Sequence, residues 1–234
     1  MITFCQKELD KYKENDWILR LMEKNTSPEE EKIRTNEWMK TMENKRFIYS
    51  VVYGDFLTEG TSTKVLDIGG GYSSLTKVLA ANCDYTLLDF MAHGGEGYMK
   101  ENNRKHNIKW INSDWYNTEL DNQYDVIIAN DIFPDVDQRM ELFIDKMLPR
   151  SRELRLVLTY YNSPRFYTAK RVDDSEILTF LSWDGEITAL KLMKYKERLI
   201  DTTEGQLGRM QSNNESIFRN GRQVSYIVLR GDCQ

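Results

Sequence analysis

From Lys64 onward, short and continuously apolar runs alternate with stretches of helical spacing. "KVLDI" predicts a strand that stops at Gly69, and "SSLTKVLAAN" a helix with Ser73 or Ser74 near its start. "CDYTLLDF" predicts a second strand ending at Asp89, "EGYMKENNRKHN" a helix or loop, "IKWINSDW" a third strand and "YDVIIAND" a fourth. "VDQRMELFIDKMLPR" reads as a helix that stops before Pro149, followed by a fifth strand, "ELRLVLTYYN". Strands alternating with helices predict an α/β fold, a mostly parallel sheet with helices on both faces. Continuously apolar strands fit burial on both sides. In the tail, "RFYTAKR" reads as loop, "SEILTFLSWDG" as strand and "EITALKLMKYKERLI" as helix. Asn220-Gly221, between two β-prone runs, predicts an antiparallel C-terminal hairpin. Residues 1–60 are expected to form an N-terminal helical extension or cap, and residues 61–234 the main domain. Within the extension, Ser27, Pro28 and Glu30 predict an N-cap, a first-turn proline and a capping box. They open one long helix, or two shorter ones, with an apolar stripe of Ile33, Trp38, Met42, Ile48 and Val52.

Composition narrows the classes. The chain has 234 residues and a net charge of -5, which gives no electrostatic footprint for nucleic acid or an anionic membrane. No apolar run approaches the roughly 18 residues of a membrane helix. Cys5, Cys83 and Cys233 match no metal or redox spacing. Free thiols and a charged N-terminus without a secretory pattern predict a cytoplasmic location.

"VLDIGGGYSSL" carries the chemistry. Glycine permits positive φ and leaves no Cβ in a ligand's way. A dinucleotide fingerprint needs G-x-G-x-x-G; here the positions are Gly69, Gly71 and Ser74. The third glycine is missing, and Asp67 would repel a pyrophosphate, which disfavours a dinucleotide-dependent oxidoreductase. The stretch resembles motif I of the class I S-adenosylmethionine (SAM) methyltransferases, an acidic residue followed by a glycine-rich turn, with Ser73 in place of the last glycine. The resemblance continues in order through Asp89, Asp114 and "YDVIIAND", and covers roughly Lys64 to Asn162. It implies a Rossmann-like methyltransferase sheet, with SAM as cofactor and S-adenosylhomocysteine (SAH) as product. It also implies cofactor-binding roles for Asp67, Gly69, Gly70, Gly71, Asp89, Phe90, Asp114, Trp115 and Asn130. Asp89 would accept the ribose hydroxyls, Asp114 would read the adenine amine with Trp115 packed by the base, and motif IV would line the methionine end and substrate mouth.

For the acceptor, "NDIF" lacks the paired prolines of DNA amino-methylating relatives. "NDIFPDVDQR" clusters Asp131, Asp135 and Asp137. Three uses compete: a general base for a hydroxyl, with Asp131 or Asp135 the candidates; a divalent metal site, which is not favoured; and helix capping by Asp135 with solvation of Asp137. His93, among glycines beyond Asp89, is a further candidate base, and His106 reads as a surface residue. Tyr160, Tyr161, Arg165, Tyr167, Lys170 and Arg171 form an aromatic and basic cluster suited to an anionic small molecule. "NDIFPDVDQRMELF" and "SIFRNGRQVSYIVL" are similar to bacterial sugar methyltransferases of surface polysaccharides. That implies O-methylation of a nucleotide-linked sugar. The alternatives are N-methylation of a small amine or amino sugar, and a SAM-binding partner subunit without catalysis. The N-terminal helices have two uses open: covering the cofactor, with Arg46, Tyr49 and Tyr53 nearest, or packing a homodimer through the Trp38 and Met42 stripe.

Overall fold

The structure, a computed structural model, describes residues 1–90, 96–106, 108–170, 177–211 and 216–233. The elements run β1 (Ile2–Thr3), α1 (Gln6–Lys13), α2 (Trp17–Asn25), α3 (Arg34–Thr41), α4 (Glu43–Val52), α5 (Gly54–Thr58), β2 (Lys64–Ile68), α6 (Ser74–Asn82), β3 (Asp84–Leu88) and α7 (Glu96–His106). They continue through β4 (Lys109–Ile111), β5 (Tyr124–Asn130), α8 (Met140–Met147), β6 (Ser151–Tyr161), β7 (Arg165–Lys170), β8 (Ile177–Ser182), α9 (Gly185–Met193), β9 (Leu199–Ile200), α10 (Glu204–Gly208) and β10 (Arg222–Arg230). The strand order is β1-β10-β6-β5-β2-β3-β4, with β9 on β10. This is the mixed sheet of a Rossmann-like methyltransferase fold, closed by an antiparallel C-terminal strand. The chain divides into two compact units, Lys7–Ile128 and Met1–Gln6 with Ala129–Gln234.

In the Lys7–Ile128 unit, β2 pairs parallel with β3 and β3 with β4, in the register Asp67↔Leu87 and Leu87↔Trp110. Val65 to Ile68 and Tyr85 to Leu88 are all buried, as a strand covered on both faces must be. Helix α6 opens with a reciprocal capping box between Ser73 and Thr76, which satisfies two donors of its first turn. The N-terminal segment differs from the expected one or two helices. The Ser27–Glu30 box does form, with Ser27 N donating to Glu30 Oε2 at 2.9 Å, but it opens only a 3-10 turn at Glu30–Lys32. Extended backbone at Met42 then separates α3 from α4. Of the expected stripe, Ile33, Ile48 and Val52 are buried, whereas Trp38 and Met42 are half-buried and Met39 is buried in addition. Arg46 is buried and pairs with Asp16 at 2.7 Å. It also donates to the carbonyls of Met39 and Lys40 at 2.6 and 2.8 Å. Its role is to tie α2, α3 and α4 together, not to meet a substrate.

In the other unit, β10 pairs antiparallel with β6 from Arg222↔Tyr161 to Arg230↔Glu153, and β1 and β9 flank β10. The expected Asn-Gly hairpin is corrected here. Asn220-Gly221 does turn, with Gly221 at φ 81°, but among the described residues the run before it forms only one bridge, Ser216↔Cys5. The eleven-residue β6 offers β10 a longer ladder than the local segment can. "RFYTAKR", expected as loop, supplies β7, which pairs with β8 from Arg165↔Ser182 to Lys170↔Ile177. Tyr167 and Ala169 are half-buried while Phe166, Thr168 and Lys170 are exposed, a period-two pattern that needs its partner to be visible. Helix α8 buries Met140, Phe143, Ile144 and Met147, spaced as one apolar helical face.

Gly231 shows how tightly this unit closes. A Cβ built there would lie 1.9 Å from the Ser151 carbonyl oxygen. Gly231→Ala is expected to lower unfolding free energy by about 2–3 kcal/mol, the cost of forced overpacking, read as a lower urea midpoint.

Candidate active site

The glycine turn follows from the geometry of its neighbours. Gly69 and Gly71 adopt φ of 67° and 64°, a left-handed conformation open to glycine at little cost. Gly70 is required for a different reason: a Cβ there would sit 2.3 Å from Asp67 Oδ2. Asp67, on β2, is 1% exposed. Its Oδ1 accepts from the Tyr53 hydroxyl at 3.0 Å and its Oδ2 from the Tyr85 hydroxyl at 2.6 Å. Tyr49 stacks on Tyr53 with ring centroids 4.6 Å apart, and its hydroxyl reaches the Gly70 carbonyl at 3.4 Å. Burial pushes the Asp67 carboxyl up to about 6, against the lowering by the Tyr85 and Tyr53 hydroxyls, and the negative charge of Asp89 adds to the rise.

Asp89 lies just past β3 and is half-buried. Its Oδ2 accepts the Gly71 N–H at 3.0 Å, so the acidic residue and the turn are held as one piece. Trp110 Nε1 donates to the Asp89 carbonyl at 2.7 Å. Phe90 beside it is exposed. Asp114 shapes a turn: its Oδ1 accepts the Tyr116 N–H at 2.9 Å and its carbonyl the Thr118 hydroxyl at 2.8 Å. Trp115 is buried and meets the exposed Tyr116 edge-on at 5.6 Å. His93 and Arg171 lie outside the described residues. Two carboxylates at the ends of adjacent parallel strands, beside backbone stripped of Cβ atoms, suit a ligand that is cationic and carries no phosphate.

The Ala129–Gln234 unit holds the motif IV carboxylates. Asn130 ends β5 and is half-buried. Asp131 adopts φ 63°. Its Oδ1 accepts from the Thr159 hydroxyl at 2.7 Å and forms an ion pair with Arg222. Arg222 in turn lies over the Phe218 ring, 4.7 Å from its centroid. Asp135 is buried and its Oδ1 accepts from Ser182 at 2.8 Å and from Tyr167 at 3.1 Å. Asp137 takes a two-pronged contact from Arg139 and the Arg139 N–H at 2.8 Å. Among the described residues, no three His, Cys, Asp or Glu side chains gather in a way that could hold a metal ion. The expected aromatic and basic cluster divides. Arg165 covers the Tyr161 ring at 3.6 Å, and Tyr167 stacks on Phe180 at 5.1 Å. Tyr160 is corrected to a core residue: it is 1% exposed and its hydroxyl lies 3.0 Å from Ser225 Oγ.

The sheet, the glycine turn after β2 and the acidic residue after β3 define a class I SAM-dependent methyltransferase. A family model described as Nodulation protein S (NodS) matches residues 21–146, more than half of the chain. The chain belongs to the NodS family. No curated protein matches it by sequence. Among solved structures, a DhpI–SAH complex is 12% identical, with 94% of this chain and 97% of that one covered and a TM-score of 0.52. Coclaurine N-methyltransferase bound to N-methylheliamine and SAH is 16% identical, with 96% and 88% covered and a TM-score of 0.50. An S-adenosylmethionine-dependent methyltransferase from Clostridium acetobutylicum is 11% identical, with 85% and 98% covered and a TM-score of 0.50. At these identities the likeness is one of fold.

Tyr85 is a partner of Asp67 that sequence reasoning missed, and Glu30 is read from the sequence only as a capping-box residue, although it also accepts from the Tyr72 hydroxyl at 2.6 Å. Tyr53 was singled out only as part of a covering helix, and not as a holder of Asp67. The one signal available was chemical: a carboxylate in a buried strand needs donors.

The raised Asp67 carboxyl has a definite consequence for stability. The unfolded chain loses this proton near 3.8 and the folded protein near 6. As pH rises between those values the unfolded state ionises first, so stability falls, by about 3 kcal/mol in all once pH exceeds 6. Asp67→Asn is expected to remove this slope. Urea midpoints of both proteins from pH 4 to 7 give the difference.

Proposed function

We propose that this methyltransferase holds SAM on the Gly69–Gly71 turn, with Asp89 accepting from the ribose, and methylates an amine nitrogen of a small molecule. When bound, SAM supplies a methyl group on a sulfonium, ready for in-line displacement. The chain's part is to align and desolvate the partners. Gly70 leaves room for the ligand and for Asp67 together, and Asp67 contributes negative charge beneath a cationic cofactor.

The observation that carries the nitrogen reading is the state of the candidate bases. A hydroxyl acceptor needs a general base for its proton. Asp131 is ion-paired with Arg222, and a nearby cation weakens a carboxylate as a base. Asp135 already accepts two hydroxyl hydrogen bonds. An amine that arrives neutral asks for no such base. A fold relative named for acting on a nitrogen, coclaurine N-methyltransferase, points the same way. A second reading, O-methylation of a nucleotide-linked sugar, is favoured by one feature: Arg165, exposed and lying over the buried Tyr161 ring, presents a cation suited to an anion.

Two experiments test this. Gly70→Ala is expected to weaken SAH binding in calorimetry by about tenfold or more, because the added methyl displaces Asp67 and the turn with it. Wild-type binding in that variant would remove the cofactor assignment from the turn. Incubation with SAM and a panel of amines, amino sugars and nucleotide sugars is expected to give a product methylated on nitrogen. Asp131→Asn is expected to keep its rate within several-fold, whereas loss of a general base costs about 10²–10⁴-fold. A loss of that size, with the melting temperature kept, or a methyl found on oxygen, would replace the nitrogen reading by the oxygen one.

A further inference from the structure

The first turn of α6 and the glycine turn before it are gripped from far upstream in the chain. The grip involves three residues of the turn. The Ser74 N–H, at the start of α6, donates to Asn36 Oδ1 at 3.0 Å. The Tyr72 hydroxyl donates to Glu30 Oε1 at 2.6 Å. A Cβ at Gly71 would meet Thr35 Oγ1 at 3.3 Å, so Thr35 backs the turn directly. Asn36 is fully buried and Glu30 is 3% exposed. The two are also bound to each other, since Asn36 Nδ2 donates to the Glu30 carbonyl at 2.9 Å.

A carboxylate so deeply buried is costly unless paired and hydrogen-bonded. Glu30 is both. Lys77 Nζ, one turn into α6, lies 2.6 Å from its Oε2, and the Ser27 N–H donates to the same oxygen. Lys77 also donates to the Asn25 carbonyl at 3.0 Å. A helix needs none of this to begin, because Ser73 and Thr76 already cap α6. The additional contacts fix where the turn lies: they hold Tyr72 and Ser74, which bracket Ser73, and Gly71 is pinned on its other side by Asp89.

We propose that Glu30 and Asn36 are positioning residues for the cofactor turn, acting through Tyr72 and Ser74. This rests on the reading that the cofactor lies on that turn. Neither side chain touches the ligand; each sets the backbone that does. Misplacement of a binding loop by a fraction of an ångström is enough to lose affinity in a site built on close backbone approach.

The test is calorimetric titration of the full chain with SAH, run well below the melting midpoint of every variant. Tyr72→Phe removes only the hydroxyl and is expected to weaken SAH binding about tenfold. Glu30→Gln keeps an oxygen acceptor for Tyr72 and is expected to stay within threefold of wild type, although it loses the Lys77 ion pair and melts lower. Asn36→Leu is expected to weaken binding by at least as much as Tyr72→Phe; if it does not fold, the other two variants decide. Wild-type affinity in Tyr72→Phe, or affinities that follow melting temperature across the variants, would overturn the proposal and leave a structural role alone. If the wild-type protein itself fails to bind SAH, the cofactor reading is what fails.

Discussion

A carboxylate with almost no access to water sits at the end of β2, and much of the Lys7–Ile128 unit is arranged around it. Asp67 cannot be buried without donors, so Tyr53 from the end of the helical segment and Tyr85 from β3 both turn their hydroxyls onto it. Its bulk then dictates the next turn, because nothing larger than glycine fits at position 70. With Gly70 fixed, Gly71 presents its N–H to Asp89, and the acidic residue after β3 is placed in turn. One desolvated charge thus couples a helix, two strands and the binding turn. The carboxyl is consequently harder to ionise than in water, an unfavourable state that a cationic ligand would relieve.

The Ala129–Gln234 unit handles its acids differently. Asp131, Asp135 and Asp137 follow one another within seven residues, yet each has separate donors: Arg222 and Thr159, Tyr167 and Ser182, and Arg139. Each of these three like charges, close in sequence, thus has donors of its own. A carboxylate held by a cation or by two hydroxyls in this way also meets the hydrogen-bonding demand of its own burial.

What the sequence showed and what it concealed divide along the distance of the contacts. Strands β2, β3, β5 and β6 are legible because a continuously apolar run needs no partner to be recognised, and Gly69 to Gly71 because glycine in series has few local explanations. The donors of Asp67 are not legible, since a tyrosine 14 residues upstream and another 18 downstream share no spacing rule. The Asn-Gly turn misled for the related reason that a local hairpin signal cannot report a competing strand some sixty residues away. Tyr160 was misplaced because two adjacent strand residues point to opposite faces, and no local feature tells that Tyr160 meets Ser225 in the core while Tyr161 is buried under Arg165. Segment 25–36 was legible as a helix start but not as a support, because its partners lie in α6.

That support has an implication for how the protein is made. Glu30 and Asn36 precede the residues they hold by 42 and 38 positions, so on a growing chain they leave the ribosome before the loop they support. Domains fold as units, and closing a loop of this length costs only slightly more than closing a short one. Residues 25–36 are thus made before the glycine turn but set together with it, since buried Glu30 gains its cation, Lys77, only when α6 is in place.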